Sequence, residues 1–278
     1  TSDGVYIQNR LLMKGDCTGP ASAEFVLKDP TVNFAVLECA RGGLLRAGLG
    51  FKKCDVGIVT NVAADHLGLK GIHTIEQLAK VKGVIPETVL PDGYAILNAD
   101  DDLVYEMRRS INCNLALFSM DEENPRIKAL QILGGITAIY ENGYVTLCRG
   151  TWKMRIMKAE NIPLTYGGKA TFMIQNILPA VIAANVRGIG IEDMKVALET
   201  FIPSASQTPG RLNLFKFENF SILLDYAHNP AGMRALQDFT NNLEATVKVG
   251  IIAGVGDRRE EDTNELGSIA AEMFDEII

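Results

Sequence analysis

The chain has 278 residues, 47% of them hydrophobic, and 27 Lys and Arg against 34 Asp and Glu give it a net charge of −7. That length leaves room for two domains with cores of their own. The acidic balance, with basic residues never clustered beyond a pair, excludes a nucleic-acid footprint, and no apolar run reaches the ~18–20 residues that span a bilayer.

The opening TSDGVYIQNR is polar and lacks the apolar stretch of a signal peptide, so a cytoplasmic protein is expected. Five scattered cysteines (Cys17, Cys39, Cys54, Cys113, Cys148), with no C-x-x-C pair, indicate neither a zinc site nor a disulfide framework. Reduced thiols fit that compartment. The start at Thr1 and the stop at FDEII read as a fragment of a longer polypeptide.

In chain order, FAVLEC (34–39) and DVGIVTNV (55–62) are expected strands. TIEQLAKVKGVIPETV (74–89) carries Ile75, Leu78, Val81 and Ile85 at helical spacing, with Thr74 as N-cap. YAILNADDD (94–102) reads as a strand running into an acidic loop, LVYEMRRSI (103–111) as a helix and LALFSM (115–120) as a strand. AIYENGYVTLC (138–148) holds Asn-Gly between alternating segments, a hairpin signal, and WKMRIMKAENIPL (152–164) alternates as a further strand. Residues 171–201 are expected to be helical: a first helix, interrupted at Pro179, ends near Gly188 and Gly190, and a second, amphipathic one spans 191–201. IPSASQTPGR (202–211) reads as a hinge. A β-α-β-α run follows: strand 219–230, helix 233–243, strand 248–260 ending in a Gly-rich loop, helix 263–274. The fold class is α/β: a mostly parallel sheet with helices and a small antiparallel ribbon, then a partial Rossmann-like unit.

Several strand ends carry chemistry, and the carboxyl edge of an open α/β sheet is where ligands bind. Glu38, before CARGG, is either a strand-end carboxylate paired with Arg41 or Arg46, or a magnesium ligand, since magnesium needs few protein oxygens beside substrate phosphate. His66, after Asp65, is either a core imidazole or a metal or phosphate group. Lys80 reads as solvated and Lys82, one turn after Leu78, as less plainly outward; a deprotonated Lys82 could carry CO2 as a carbamate. Asp225, His228 and Asn229 follow SILLD, where an Asp can accept from ribose hydroxyls, and Gly254, Gly256, Asp257 and Arg258 follow GIIAG. Neither loop is a full G-x-G-x-x-G, so dinucleotide binding is not supported. Arg211 offers either a surface charge or a fork for phosphate.

Taken together, LECARGG, NVAADHLG, the Lys82 helix, IQN, TPGR, DYAHNP and GVGDRR resemble the Mur ligase superfamily of ATP-dependent amide ligases, which includes peptidoglycan-precursor ligases and folylpolyglutamate synthetase. With TSDGVYI, KGDCTGP and QTPGRLNLF added in order along nearly the whole chain, the nearer likeness is to its cyanophycin-forming branch. The resemblance implies a central ATP-binding domain at 1–207 and a C-terminal domain at 208–278, both truncated, with ATP and Mg2+ as cofactors. Glu38 and His66 match the magnesium ligands and Lys82 the lysine that many members carbamylate, with Lys80 as the alternative; Lys82, His66 and Arg211 form the catalytic set. Asn176 matches the residue near adenine, Arg211 the phosphate-reaching linker arginine and Asp225 the ribose contact, with His228, Asn229, Asp257 and Arg258 in the facing loops. The implied reaction joins arginine to aspartate β-carboxyls of a poly-aspartate (cyanophycin) primer through an acyl phosphate, in a homo-oligomer. Rivals are a muramyl-peptide or folate ligase, or a degenerate, non-catalytic scaffold. The superfamily's G-x-x-x-x-G-K-[ST] loop is missing, so the chain alone is expected to hydrolyse no ATP.

Overall fold

The computed structural model describes residues 1–65, 67–253 and 259–278. A hairpin of β1 (Gly4–Ile7) and β2 (Arg10–Lys14) leads into α1 (Pro20–Lys28) and α2 (Arg41–Ala47). Next come β3 (Cys54–Val59), α3 (Ile75–Glu87), β4 (Val89–Asn98), α4 (Asp102–Glu106), β5 (Asn114–Ser119), α5 (Pro125–Ile132), β6 (Ile136–Glu141), β7 (Tyr144–Arg149) and β8 (Trp152–Lys158). These strands make one six-stranded sheet in the order β3-β4-β5-β6-β7-β8. The β3 to β6 pairings are parallel and those of β7 and β8 antiparallel.

Both faces of this sheet are covered, which is why its strands read as continuous apolar runs. Successive residues point to opposite faces. Thus Ile96 and Phe118 pack with Ile174, Leu178 and Ile182 of α6 (Thr171–Val186), joined by Met194 of α7 (Ile191–Thr200). Leu97, Leu117 and Ile139 pack on the other face with Leu78 of α3, Val104 of α4 and Ile127 of α5. The β6–β7 turn has Asn142 at φ 49° and Gly143 at φ 82°, the doubly positive backbone that suits a two-residue hairpin and that Asn-Gly supplies at low cost.

After residue 212 the strands shorten. β9 (Asn213–Lys216) pairs antiparallel with β10 (Ser221–Leu224), α8 (Pro230–Asn241) follows, and β11 (Val249–Gly250) pairs in parallel with β12 (Glu276–Ile277) across α9 (Glu260–Met273). Met233 of α8 packs on Ile269 and Met273 of α9. The seam to the large sheet is Ala170, Leu212 and Phe239 with Tyr166, whose hydroxyl donates to the Leu212 carbonyl.

Four sequence expectations change. Residues 34–39 form no strand: the segment pairs with no other strand among the described residues, and Val36 is 83% exposed. Apolar composition alone cannot hold a strand whose N–H and C=O groups lack a neighbouring ladder. The strand from 152 stops at Lys158 and gives way to two short 3₁₀ turns, at Ala159–Asn161 and Pro163–Thr165. Pro179 does not interrupt α6, which runs unbroken from Thr171 to Val186 with Pro179 buried inside it. Packing of Ile174, Leu178 and Ile182 against the sheet offsets the hydrogen bond that proline removes. The strand expected at 248–260 is limited to Val249–Gly250 among the described residues.

Candidate functional site

The site lies at the carboxyl ends of β3 and β4. Helix α3 sets its floor. A capping box fixes the start of that helix: Thr74 Oγ1 accepts from the Gln77 N–H at 3.3 Å, and Gln77 Oε1 accepts from the Thr74 N–H at 3.2 Å. With the helical phase set there, Lys80 is exposed while Lys82 is half-buried and donates from Nζ to the Asn61 carbonyl at 2.9 Å. Burial pulls the Lys82 ammonium below the ordinary lysine range, and the nearby Asp65 and Asp101 carboxylates oppose that shift. An amine so placed is easier to deprotonate than a surface lysine.

The loop after β3 is held from β4. Asn98, 2% exposed, donates from Nδ2 to the Thr60 carbonyl at 2.8 Å. Asp101 accepts from the Val62 N–H at 2.7 Å through Oδ2, and its Oδ1 caps α4 at the Val104 N–H at 3.0 Å. Neither residue stood out from spacing; the signal available was the acidic string NADDD closing a buried strand.

The facing wall comes from the second unit. Asp225 accepts the Leu212 N–H through Oδ2 at 2.9 Å and the Ala227 N–H through Oδ1 at 2.8 Å, which shapes the turn after β10. The Arg211 guanidinium lies 4.6 Å from the centre of the Tyr226 ring, and the Tyr226 and His228 rings meet edge to face at 5.0 Å. His228 Nε2 reaches 3.8 Å from Asp65 Oδ2, so the two walls touch. Asn229 Oδ1 accepts from the Gly232 N–H at 2.8 Å and caps α8. Chain folding thus links Lys82, Asp65 and Asp101 on the sheet side through His228 to Tyr226 and Arg211 on the other.

Glu38 is exposed and accepts the Ser2 N–H at 2.9 Å, at the rim of a cavity of about 470 Å³ lined by β1, α1 and residues 31–38. Arg41 donates instead to the Leu69 carbonyl at 2.5 Å, and Arg46 Nε to that of Gly42 at 3.1 Å. The Arg41 contact ties the Glu38 segment to the loop beyond His66. Asn176 is exposed on α6. His66, Gly254, Gly256, Asp257 and Arg258 lie outside the described residues. Among the described residues no three His, Cys, Asp or Glu side chains gather to hold a metal ion by themselves. A hard cation that keeps its waters and shares substrate phosphates asks for less, and the exposed Glu38 carboxylate fits that need.

Residues 15–184 match the Mur ligase middle domain, and residues 210–278 match the Mur ligase glutamate ligase domain. The chain belongs to the Mur ligase family. Among curated proteins it is similar to the cyanophycin synthetases of Geminocystis herdmanii, 54% identical over 278 residues, and of Synechocystis sp., 53% identical. In both cases the whole chain is covered but only 32% of the relative, so the chain spans about a third of the length of the curated relatives it matches. Of solved structures, MurF from Acinetobacter baumannii superposes with a TM-score of 0.59 at 23% identity, over 81% of this chain and 46% of that one, which supports the fold. No helix among the described residues is long and apolar enough to cross a membrane.

Proposed function

We propose that the chain forms the ATP-binding core of a ligase that joins arginine to the β-carboxyls of a poly-aspartate primer. The observation that carries this reading is the approach of His228 to Asp65, which neighbours Lys82 on the sheet side, with Tyr226 and Arg211 following His228 on the other. The likeness to cyanophycin synthetases over the whole chain supports the choice of arginine and primer.

ATP's γ-phosphoryl group passes to a substrate carboxylate, the amine of arginine attacks the acyl phosphate, and phosphate leaves. Such chemistry needs positioning and charge stabilisation more than covalent help from the protein. Arg211, stacked on Tyr226, is poised to take phosphate oxygens bidentately. Asp225 retains acceptor capacity beyond its two backbone partners and would receive ribose hydroxyls. Asn176 would border the adenine, while His228, Asn229, Asp257 and Arg258 would line the nucleotide from the second unit. Glu38 and His66 would hold Mg2+, a hard cation that neutralises phosphate charge. Lys82, half-buried beside Asp65 and Asp101, would serve as an amine or its carbamate. Closure of the second unit on the Asp65 loop would exclude water from the nucleotide. The reading sets the domain boundary at 207/208 and places the enzyme in the cytoplasm as a homo-oligomer.

The test is ATP-dependent phosphate release by the intact ligase, supplied with primer and candidate amino acids. Release is expected with arginine, and a drop of about 100-fold or more with Glu38→Ala or His66→Ala. Near-wild-type activity in both variants overturns the metal assignment. Preference for a muramyl-peptide or folate acceptor overturns the substrate, and no turnover with any of them overturns the enzyme.

A further inference from the structure

The hydrogen-bonded ladder between β3 and β4 ends with Val59 opposite Leu97. Beyond it, two side chains of the β4 strand end continue what the backbone has stopped doing. Asn98 binds the Thr60 carbonyl at 2.8 Å and Asp101 binds the Val62 N–H at 2.7 Å, while the carbonyl of Asn61, the residue between them, faces Lys82 Nζ at 2.9 Å. We propose that Asn98 and Asp101 are positioning residues for the ligation reaction: they clamp Thr60 and Val62 so that Asn61 and the following Asp65 are presented to Lys82. This rests on the ligase reading above.

Both clamps are themselves held. Asn98 Oδ1 accepts the Asp100 N–H at 2.9 Å, which leaves its amide nitrogen for Thr60 and fixes the orientation of the group. Asp101 uses its other oxygen to cap α4, so the carboxylate cannot swing away from Val62 without uncapping a helix. Val62 is buried against the α4 side of the sheet with Ala99 and Val104, so the loop is pinned by packing on one side and by hydrogen bonds on the other. A loop held only at its ends would leave Asn61 and Asp65 free to drift, and a displacement of about 1 Å in reacting geometry costs on the order of 100-fold in rate.

The test uses Asp101→Ser, Asp101→Asn and, as control, Asp102→Ser in the intact ligase. Serine still caps α4 but is too short to reach Val62, so the helix start survives while the clamp is lost. Asparagine keeps one acceptor oxygen of two. Asp102 is exposed and pairs with Arg126. Two readouts are taken: hydrogen exchange at the Val62 amide, and kcat separately from KM for ATP. The Ser variant is expected to raise Val62 exchange about 5- to 10-fold, as loss of one hydrogen bond implies. Its kcat falls about 10- to 100-fold with KM within about threefold, Asn lies between, and Asp102→Ser matches wild type. A Ser variant with raised Val62 exchange and a kcat within about twofold of wild type overturns the positioning role. Unchanged exchange overturns the clamp itself. Wild-type protein that releases no phosphate overturns the ligase reading and the catalytic half of this proposal, while the exchange readout still decides whether Asp101 holds the loop.

Discussion

The six-stranded sheet and the shorter unit after residue 212 use similar amino acids to opposite effect. In the sheet, Phe118, Ile96, Leu97 and Ile139 are fully buried. On β9, β10 and the turn between them, Phe215, Phe217, Phe220, Ile222 and Leu224 stay exposed, and Phe217 and Phe220 stack on each other at 4.7 Å. The lesson is that an apolar strand is stabilised by what covers its two faces. β5 has neighbours on both edges and helices above and below, whereas among the described residues β10 pairs with β9 alone.

That contrast is open to direct attack by substitution, with chemical denaturation of the chain as the measurement. Phe118→Ala should cost about 3–5 kcal/mol, because it empties space in a packed core that relaxes only partly. A loss below about 1 kcal/mol would mean the sheet is not the tight region described. Lys153→Met should come next, at about 1–2 kcal/mol at neutral pH, less than for a fully buried pair because Lys153 is partly exposed. It removes a partner of the buried Glu141, which also has Arg155 at 3.5 Å. Burial alone would raise Glu141, but pairing with Lys153 and Arg155 outweighs it and holds the carboxyl below its ordinary value. A depressed carboxylate contributes stability above its unfolded pKa and loses it as pH falls through the folded value. The gap between Lys153→Met and wild type should therefore close below about pH 4, and a gap that persists there would refute the ion-pair account.

Tyr166→Phe should be milder, about 1 kcal/mol, since it deletes one hydrogen bond across the seam and leaves the Leu212 carbonyl short of a partner. Because that bond joins the two regions, the variant should also separate their unfolding transitions; a single unchanged transition would show the seam is not carried there. Phe220→Ala should do least, under about 0.5 kcal/mol, as expected for an exposed side chain. A cost near that of Phe118→Ala would abolish the comparison.

What was legible in the chain follows the same division. The strands of the large sheet stood out as apolar runs, the Asn142-Gly143 hairpin by its turn chemistry, and α3 by Thr74 and periodic Leu78 and Val81. Residues 34–39 have the same apolar character as 115–120, yet only the latter has partners on both sides. Helix α1 was missed because PASAEFVLK presents little apolar periodicity, with Ala23 its only buried residue. Its place after Val81 set Lys82 apart from the solvated Lys80, but the carbonyl it meets was not legible, because a backbone acceptor leaves no mark in side-chain spacing.

Sequence alone determined the α/β class, the family and the chemical inventory, since turn residues, hydrophobic period and ordered motifs are local properties of the string. Tertiary structure decided which apolar segments became buried strands and which polar groups came to share a cleft. Asp65 meets His228, Asn98 meets Thr60 and Asp101 meets Val62 only after the chain has folded back on itself. Such encounters depend on layer packing and strand order, and no local pattern encodes them.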